Sequence, residues 1–440
     1  MGPIVPTPLP GGLLLRGAAP GDRDALVELH SSVHAGPDGA PNTAVGQWIR
    51  DLFDRGHPTA SLDEMVVVED IGTGVLASSL MMVPQTWSYD GIPFGVGRVE
   101  LVASHPAYRG RGLLARQLEV LHERSAHRGD VLQALTDLMF SPGKARYWTA
   151  LTQRAGRGGL ARDLPSGTAS LRPATGDDIP FLLEVDRHAR GRMLLSCVRN
   201  KAQWRHELTG RTPGSMVHDE IFLVEYHGIP AGYVVLGYGG IPSYPIPPWW
   251  PGIPVPEPVI SVSAFELAAG MPWHDVVPGV LQRLCPSDVD GYVLWLGTEH
   301  PAYEVLGESL TRKPQNIGWF LRMPDVDAFL RHIAPVLENR LVGTAAEAYT
   351  GELLLHFYTY GTRLVFERGK LVDVSSWAEH SRRGSDASLP EQMFLQLLLG
   401  HASWPEIAPA FPDCRLQNRT AGLLIPVLFP RKPSAVWPLI

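Results

Sequence analysis

The stretch from Val99 to Leu114, VELVASHPAYRGRGLL, holds the residues whose types and spacing could do chemistry. Gly110 and Gly112 alternate with Arg109 and Arg111. Glycine lets a backbone turn through positive φ and come close to a ligand, and the arginines add positive charge. Leu114, Leu118 and Leu121 then recur at helical spacing. The free N–H groups and positive dipole end of that helix would face the glycine loop. Loop and helix start together make a cradle for a diphosphate. The spacing is not that of a P-loop, because no Gly-Lys-Ser/Thr follows. The looser dinucleotide fingerprint, which accepts Ala at its third small position, is met by Gly110, Gly112 and Ala115. That fingerprint usually follows the first strand of its domain, however, and several strands precede this one.

The elements that must position the loop can be read on either side. A strand at Gly97–Ser104 feeds it, a helix at Gly112–His127 leaves it, and a strand at Val131–Thr136 follows. Upstream, Leu15-Arg16 begins a short strand, and Asp22 precedes a helical run through Leu26 and Leu29. Two further strands, Met65–Ile71 and Val75–Val83, flank a turn. Helices between strands in this order imply an α/β layered domain. The pattern then recurs 156 residues on: Leu171-Arg172, Asp177-Asp178 and Leu182-Leu183 match the first group, and Val224-Glu225 with Gly228 match Val68-Glu69 with Gly72. Two matches at one offset suggest a duplicated domain. The second copy continues with strands at Ile221–Tyr226, Ala231–Tyr238 and Val259–Glu266, a helix at Trp273–Leu284 and a strand at Tyr292–Gly297. Residues 241–258 carry eight prolines with Trp249 and Trp250, which reads as a stiff covering loop or a wall of a substrate pocket. A third composition begins near residue 325. It has a helix at Val326–Leu341, a meander through Leu353–Tyr358, Thr362–Glu367 and Lys370–Val374, and a helix opened by a Ser388/Glu391 capping box. A short strand at Gly422–Leu428 and an apolar tail close the sequence.

Pro106-Ala107-Tyr108-Arg109-Gly110-Arg111-Gly112 after a Val-rich strand resembles motif A of the GNAT acetyltransferases, Arg/Gln-x-x-Gly-x-Gly/Ala, with Ala107 at the motif's first position. The resemblance implies acetyl-CoA as co-substrate. Its pyrophosphate would be held by the loop amides, and its thioester carbonyl would be polarised by the backbone of a strand that splays from its neighbour. Carried over by position, the acyl-CoA contacts would be Val102, Ala103 and Ser104 on the strand and Arg109, Gly110, Arg111, Gly112, Leu113, Leu114 and Ala115 on the loop and helix. The whole layout resembles the Eis-like (enhanced intracellular survival) group: an α/β (α+β) chain with tandem GNAT domains and a C-terminal domain similar to sterol carrier protein. The boundaries would be 1–165 for the catalytic GNAT domain, 166–323 for a degenerate GNAT-like domain and 324–440 for the sterol-carrier-like domain. The second copy has Ala268-Ala269-Gly270-Met271 where the loop would be and is not expected to bind CoA. The group also implies a homo-oligomer.

Acetyl transfer to a primary amine needs an acceptor for the amine proton and gains from an acid at the leaving thiolate. The resemblance implies a Tyr as the acid and the chain's terminal carboxylate as the base; these fall on Tyr147 and on Ile440. Glu100 is a rival base, since other GNATs use a Glu on this strand, and it could equally be an ion-paired strand residue. Trp87 could line the acceptor pocket or be a packed tryptophan, and His122 and His127 are read as surface residues.

Composition narrows the class. With 440 residues, two to four domains are expected. A net charge of −7 argues against broad binding to nucleic acid or anionic membrane. Cys197, Cys285 and Cys414 are too far apart to form a metal pattern or a disulfide framework. No apolar run is long enough to span a bilayer, and the N-terminus lacks a signal-peptide pattern, so a cytoplasmic location is expected. The expectation is an N-acetyltransferase that uses no metal and acts on a small polyamine-like molecule or a lysine side chain. A lipid-binding protein and a CoA-binding regulatory pseudoenzyme on the same scaffold are the alternatives.

Overall fold

The computed structural model describes residues 2–36, 38–136, 148–158, 161–165, 167–237, 259–285, 291–377 and 384–436. The first unit contains β1 (Thr7–Leu9), β2 (Leu13–Gly17), α1 (Arg23–Val33), α2 (Thr43–Asp54), β3 (Met65–Asp70), β4 (Leu76–Tyr89), β5 (Ile92–Ser104), α3 (Leu113–Arg128), β6 (Leu132–Thr136) and β7 (Trp148–Gly158). The second contains β8 (Ala169–Pro173), α4 (Ile179–Arg190), β9 (Leu195–Cys197), α5 (Lys201–Thr209), β10 (Glu220–Tyr226), β11 (Ile229–Leu236), β12 (Val259–Leu267), α6 (Trp273–Leu284), β13 (Gly291–Leu294), α7 (Pro301–Leu306) and β14 (Leu310–Arg322). The C-terminal region contains α8 (Val326–His332), α9 (Ala334–Leu341), β15 (Gly351–His356), β16 (Gly361–Glu367), β17 (Lys370–Trp377), β18 (Ala387–Ser388), α10 (Glu391–Leu398), α11 (Trp404–Ala410), β19 (Arg415–Leu416) and α12 (Arg419–Leu428).

The repeat seen in the sequence has a physical counterpart. Arg16 forks onto Asp22 at 2.7 and 2.8 Å and reaches Glu69 with Nε at 2.8 Å. Arg172 forks onto Asp178 at 2.8 and 2.7 Å and reaches Glu225 with Nε at 3.2 Å. In both units the same carboxylate accepts from a backbone N–H three residues earlier, Ala19 or Thr175. Each triad ties the first long strand of its unit to the turn that opens the first helix. Bidentate guanidinium–carboxylate geometry accounts for its recurrence, and the hydrogen bonds from Arg172 hold the Asp178 carboxyl down at about 2.

The two units share one 14-stranded sheet, in which β6 of the first unit is followed by β14, then β7, then β13 of the second. The long strand β14 pairs with β7 from Leu310 to Leu321 and with β6 from Trp319 to Arg322. β7 in turn reaches β13 through Gly156–Gly158. Each unit therefore receives a strand from the other. A separate five-stranded sheet, ordered β17-β16-β15-β18-β19, forms the C-terminal layer. Its core is continuous with the first unit through the tip of the β4–β5 hairpin. There the Tyr89 hydroxyl donates to Leu398 O at 2.8 Å, and Arg340 reaches Tyr89 and Asp90.

Three sequence expectations are corrected. Gly422–Leu428, read as a strand, lies in helix α12, whose buried Ala421, Leu424, Ile425 and Leu428 follow helical spacing. A short apolar run cannot be told from a buried helix by periodicity alone. The helix expected at Val326–Leu341 is two helices, α8 and α9, separated at Ile333 next to Pro335. The Ser388/Glu391 capping box does not form: Ser388 is in β18 and α10 is preceded by Pro390. Among the described residues no helix is long and apolar enough to cross a membrane.

Helix α1 packs on the sheet through His30, which is fully buried and paired through Nε2 with Ser79 Oγ on β4. Burial, then the neighbouring His34, pushes His30 from 6.5 down to about 3. The unfolded chain therefore takes up a proton below about pH 6.5 that the folded protein refuses until about pH 3, so stability falls as pH falls through that window. At pH 5 the loss from this residue is about 2 kcal/mol. Denaturant titrations at pH 7 and pH 5 should show a pH-dependent loss smaller by about that amount in His30→Asn than in the native sequence. Equal losses would remove His30 from the account.

Candidate active site

The site is a fork in the sheet. β5 runs parallel to β6 and, among the described residues, pairs with it only at Val96, Gly97 and Arg98. Beyond Arg98 the two strands part. On its other edge β5 stays paired with β4, but the register shifts between Ser79 and Met81. Opposite that shift Leu101 has φ +50°, a left-handed conformation that a branched side chain adopts only under constraint. The bulge re-aims the end of the strand: Val102 is 37% exposed while Ala103 is 1% exposed. A polar pin holds this edge. The Ser78 hydroxyl lies 2.9 Å from Ala103 O and 2.6 Å from Gln117 Oε1, and Gln117 Nε2 donates to Val66 O at 2.9 Å. Gln117 is fully buried on α3, so this pin sets the height of the helix over the sheet.

The loop that follows has the geometry its residue types imply. Gly110 and Gly112 have φ of +78° and +75°, and a Cβ added at either would meet nothing within 4 Å. Both glycines therefore answer to backbone conformation and to open space on the ligand side. Gly112 caps α3 without a side-chain hydrogen bond, and the first turn carries no acidic residue. The N–H groups of that turn thus face the loop with their partial positive charge uncancelled. Arg109 and Arg111 are exposed. Arg109 Nε donates to Ser104 O at 3.3 Å, and the Arg111 cation lies 4.9 Å from the Tyr108 ring centre. The Tyr108 hydroxyl donates to Asp70 at 2.7 Å and anchors the loop to β3. Open glycines, an uncapped helix start and two exposed guanidinium groups fit the diphosphate of a CoA thioester.

Of the ten residues carried over as acyl-CoA contacts, all lie on the diverging end of β5, the loop or the first turn of α3. Ala103 and Leu113 are buried, Ser104 and Leu114 half-buried, and Val102, Arg109, Gly110, Arg111, Gly112 and Ala115 exposed. Tyr147, Ile440 and the proline-rich segment 241–258 lie outside the described residues. Glu100 is an ion-paired strand residue: Arg98 Nε donates to its Oε1. Trp87 is fully buried, donates from Nε1 to Gln85 at 2.9 Å and meets Trp319 edge-on. His127 is exposed, but His122 is half-buried, and burial followed by the nearby Arg322 pushes it down to about 4.

Two features were missed by sequence reasoning. Arg98 is fully buried at the mouth of the fork, and Gln117 pins α3. A charged residue inside an apolar strand two positions from Glu100 was the available signal for the first. The second unit forks in the same way, since among the described residues β12 pairs with β13 only from Val259 to Val262. Its helix start is different. Trp273, the first residue of α6, lies 5.6 Å from the Phe265 ring on β12 and 5.1 Å from the His300 ring beyond β13. The chain's own indole spans that fork, where the first unit has open glycines.

Residues 15–142 match the acetyltransferase (GNAT) domain family. No curated protein matches the chain. Among solved structures, a GCN5-related N-acetyltransferase from Anabaena variabilis is similar with TM-score 0.66 and 13% identity, covering 96% of this chain and 98% of that one. One from Kribbella flavida is similar with TM-score 0.62 and 14% identity over 96% and 98%. Eis1 from Mycobacterium abscessus is similar with TM-score 0.60 and 15% identity over 96% and 98%. The fold is therefore the full-length Eis fold, an α+β chain.

Gly112→Asp places a carboxylate against the cradle, and its Cβ meets nothing within 4 Å, so the fold should persist with about 1–2 kcal/mol of backbone strain. Calorimetric affinity for acetyl-CoA should fall by two orders of magnitude or more. Unchanged affinity in a folded variant would remove the loop from the binding site.

Proposed function

Residues 15–142 belong to the GNAT acetyltransferase domain family, and on that premise we propose that the chain transfers an acetyl group from acetyl-CoA to a primary amine, with residues 102–104 and 109–115 as the acyl-CoA contacts. The acceptor class is a small polyamine-like molecule or a lysine side chain. The observation that carries this reading is the junction of a diverging strand with an open glycine loop and an uncapped helix start. Division into catalytic (1–165), degenerate (166–323) and sterol-carrier-like (324–440) domains goes with it. The Trp273 indole across the second fork supports one acetyl-CoA per chain.

Bound acetyl-CoA supplies the activated acyl group; the chain's residues orient it and move two protons. The amides of the first turn of α3 and the guanidinium groups of Arg109 and Arg111 neutralise the diphosphate. The backbone of Val102–Ser104, free of β6, offers hydrogen-bonding groups to the acyl end. Tyr147 is the acid that gives a proton to the departing thiolate. The α-carboxylate of Ile440 is the base that takes the amine proton. Two observations support Ile440 over Glu100. The segment leading to it is pinned: Leu194 N donates to Pro433 O at 2.7 Å, Ala435 N donates to Leu195 O at 2.9 Å, and Val436 is 1% exposed. Glu100 already accepts a hydrogen bond from Arg98.

Tyr147→Phe should lower kcat by roughly 10²–10⁴-fold while leaving acetyl-CoA affinity nearly intact, as loss of a transition-state acid does. An unaltered kcat would make Tyr147 structural. Residues added after Ile440 should abolish thiol release in the presence of amine and spare acetyl-CoA binding, because the carboxylate becomes an amide. Full activity in the extended protein beside a dead Glu100→Gln would transfer the role of base to Glu100. Binding without thiol release in the native sequence, across a panel of polyamines and lysine peptides, would indicate a regulatory CoA-binding protein instead.

A further inference from the structure

One side chain spans the two prongs of the fork. Arg98 stands at the last β5 residue paired with β6 and is fully buried. Its Nε donates to Glu100 on the diverging part of β5, and its Nη2 donates to Thr136 Oγ1, at the end of β6, at 2.9 Å. The guanidinium carbon lies 4.4 Å from the centre of the Trp319 ring. Trp319 comes from β14, the strand that enters from the second unit, and stands opposite Thr136 in the ladder. Trp319 is 2% exposed, is braced edge-on by Trp87 at 5.8 Å, and lines a cavity of about 200 Å³ together with Ser434 and Val436 of the tail.

The remaining nitrogen, Nη1, is buried and has no hydrogen-bond partner among the described residues. Leaving a buried donor unpaired is costly. A planar guanidinium tied to both strands also fixes their separation in a way that a flexible ammonium cannot.

We propose that Arg98 is a positioning residue of the acetyl-transfer site, that it sets the opening of the fork and the orientation of Glu100, and that Trp319 is the platform the second unit supplies for it. The proposal rests on the acetyl-transfer reading. It gives the second unit a part in the chemistry although its own fork is spanned by Trp273: the first unit's site is complete only with β14 in place.

The test compares Arg98→Lys, Thr136→Val and Trp319→Phe in the full chain. The readouts are melting temperature, calorimetric affinity for acetyl-CoA, and kcat and KM with whichever of spermidine or a lysine peptide the native sequence acetylates. Misplacement of reacting groups by about 1 Å can cost roughly 10²-fold in rate. Arg98→Lys should therefore lower kcat by roughly 10-fold or more while acetyl-CoA affinity changes by less than about threefold. Thr136→Val, which keeps the shape of the side chain and removes one tie, should show the same split in a milder form, as should Trp319→Phe. A folded Arg98→Lys with native kcat would overturn the proposal. So would a kcat loss that disappears when the assay is run well below the variant's melting temperature. If the native sequence neither binds acetyl-CoA nor releases thiol with amines, the acetyl-transfer reading itself fails, a result distinguishable from an active enzyme indifferent to Arg98.

Discussion

The antiparallel pairing of β7 with β14 is the interaction on which the rest of this structure depends. It runs from Leu310 opposite Gly158 to Leu321 opposite Trp148 and hands each strand across to the sheet of the other unit. Two units that each kept their own strands could move as beads on a linker. Here the hydrogen-bond ladder is continuous from β1 to β8, so separating the units would expose two rows of unpaired backbone groups. The exchange also gives the second unit a structural part in the first. It supplies the strand that covers β6, and with it Trp319, whose ring lies under Arg98.

A second consequence concerns the fork. β5 can leave β6 after Arg98 because its other edge stays bound to β4 through a bulge at Leu101, and because Ser78 and Gln117 hold that edge from the side. An open strand edge inside a sheet is an unstable arrangement unless something else takes the backbone's hydrogen-bonding groups. A thioester-bearing substrate lying between the prongs would do so. The two forks of the chain show two ways of managing the same gap: in the first, flanking glycines leave room in front of the helix start, and in the second, an indole from the helix start itself lies across.

The C-terminal layer is tied to this site by long-range contacts. The β4–β5 hairpin projects its tip between helices of the last domain, where Tyr89, Asp90, Arg340 and Lys432 interlock. β9 pairs with β4 at Trp87–Tyr89 and carries the tail segment through its bridge from Ser196 to Ala435. The same hairpin whose base forms the fork therefore also organises the tail.

Much of this was legible in the residues themselves. Local chemistry set the glycine loop: Gly110 and Gly112 at positive φ, followed by a leucine-spaced helix, need no partner from elsewhere to declare a turn and a dipole. The 156-residue repeat was visible too, because Arg16, Asp22 and Glu69 and their counterparts Arg172, Asp178 and Glu225 must keep their types to make a bidentate triad. Where the sequence misled, the deciding contact was distant. The run at Gly422–Leu428 has no internal preference strong enough to separate strand from helix, and burial against the C-terminal core chose helix. Nothing in the spacing of Arg98 announces Thr136 and Trp319 as its neighbours, which lie 38 and 221 residues away along the chain. The sequence alone thus determined the cradle, because glycine conformation and helix-end polarity are properties of adjacent residues. Only the tertiary structure decided which strands part, which unit lends β14, and what stands at the mouth of the fork, because strand pairing brings together groups whose separation along the chain carries no local signal.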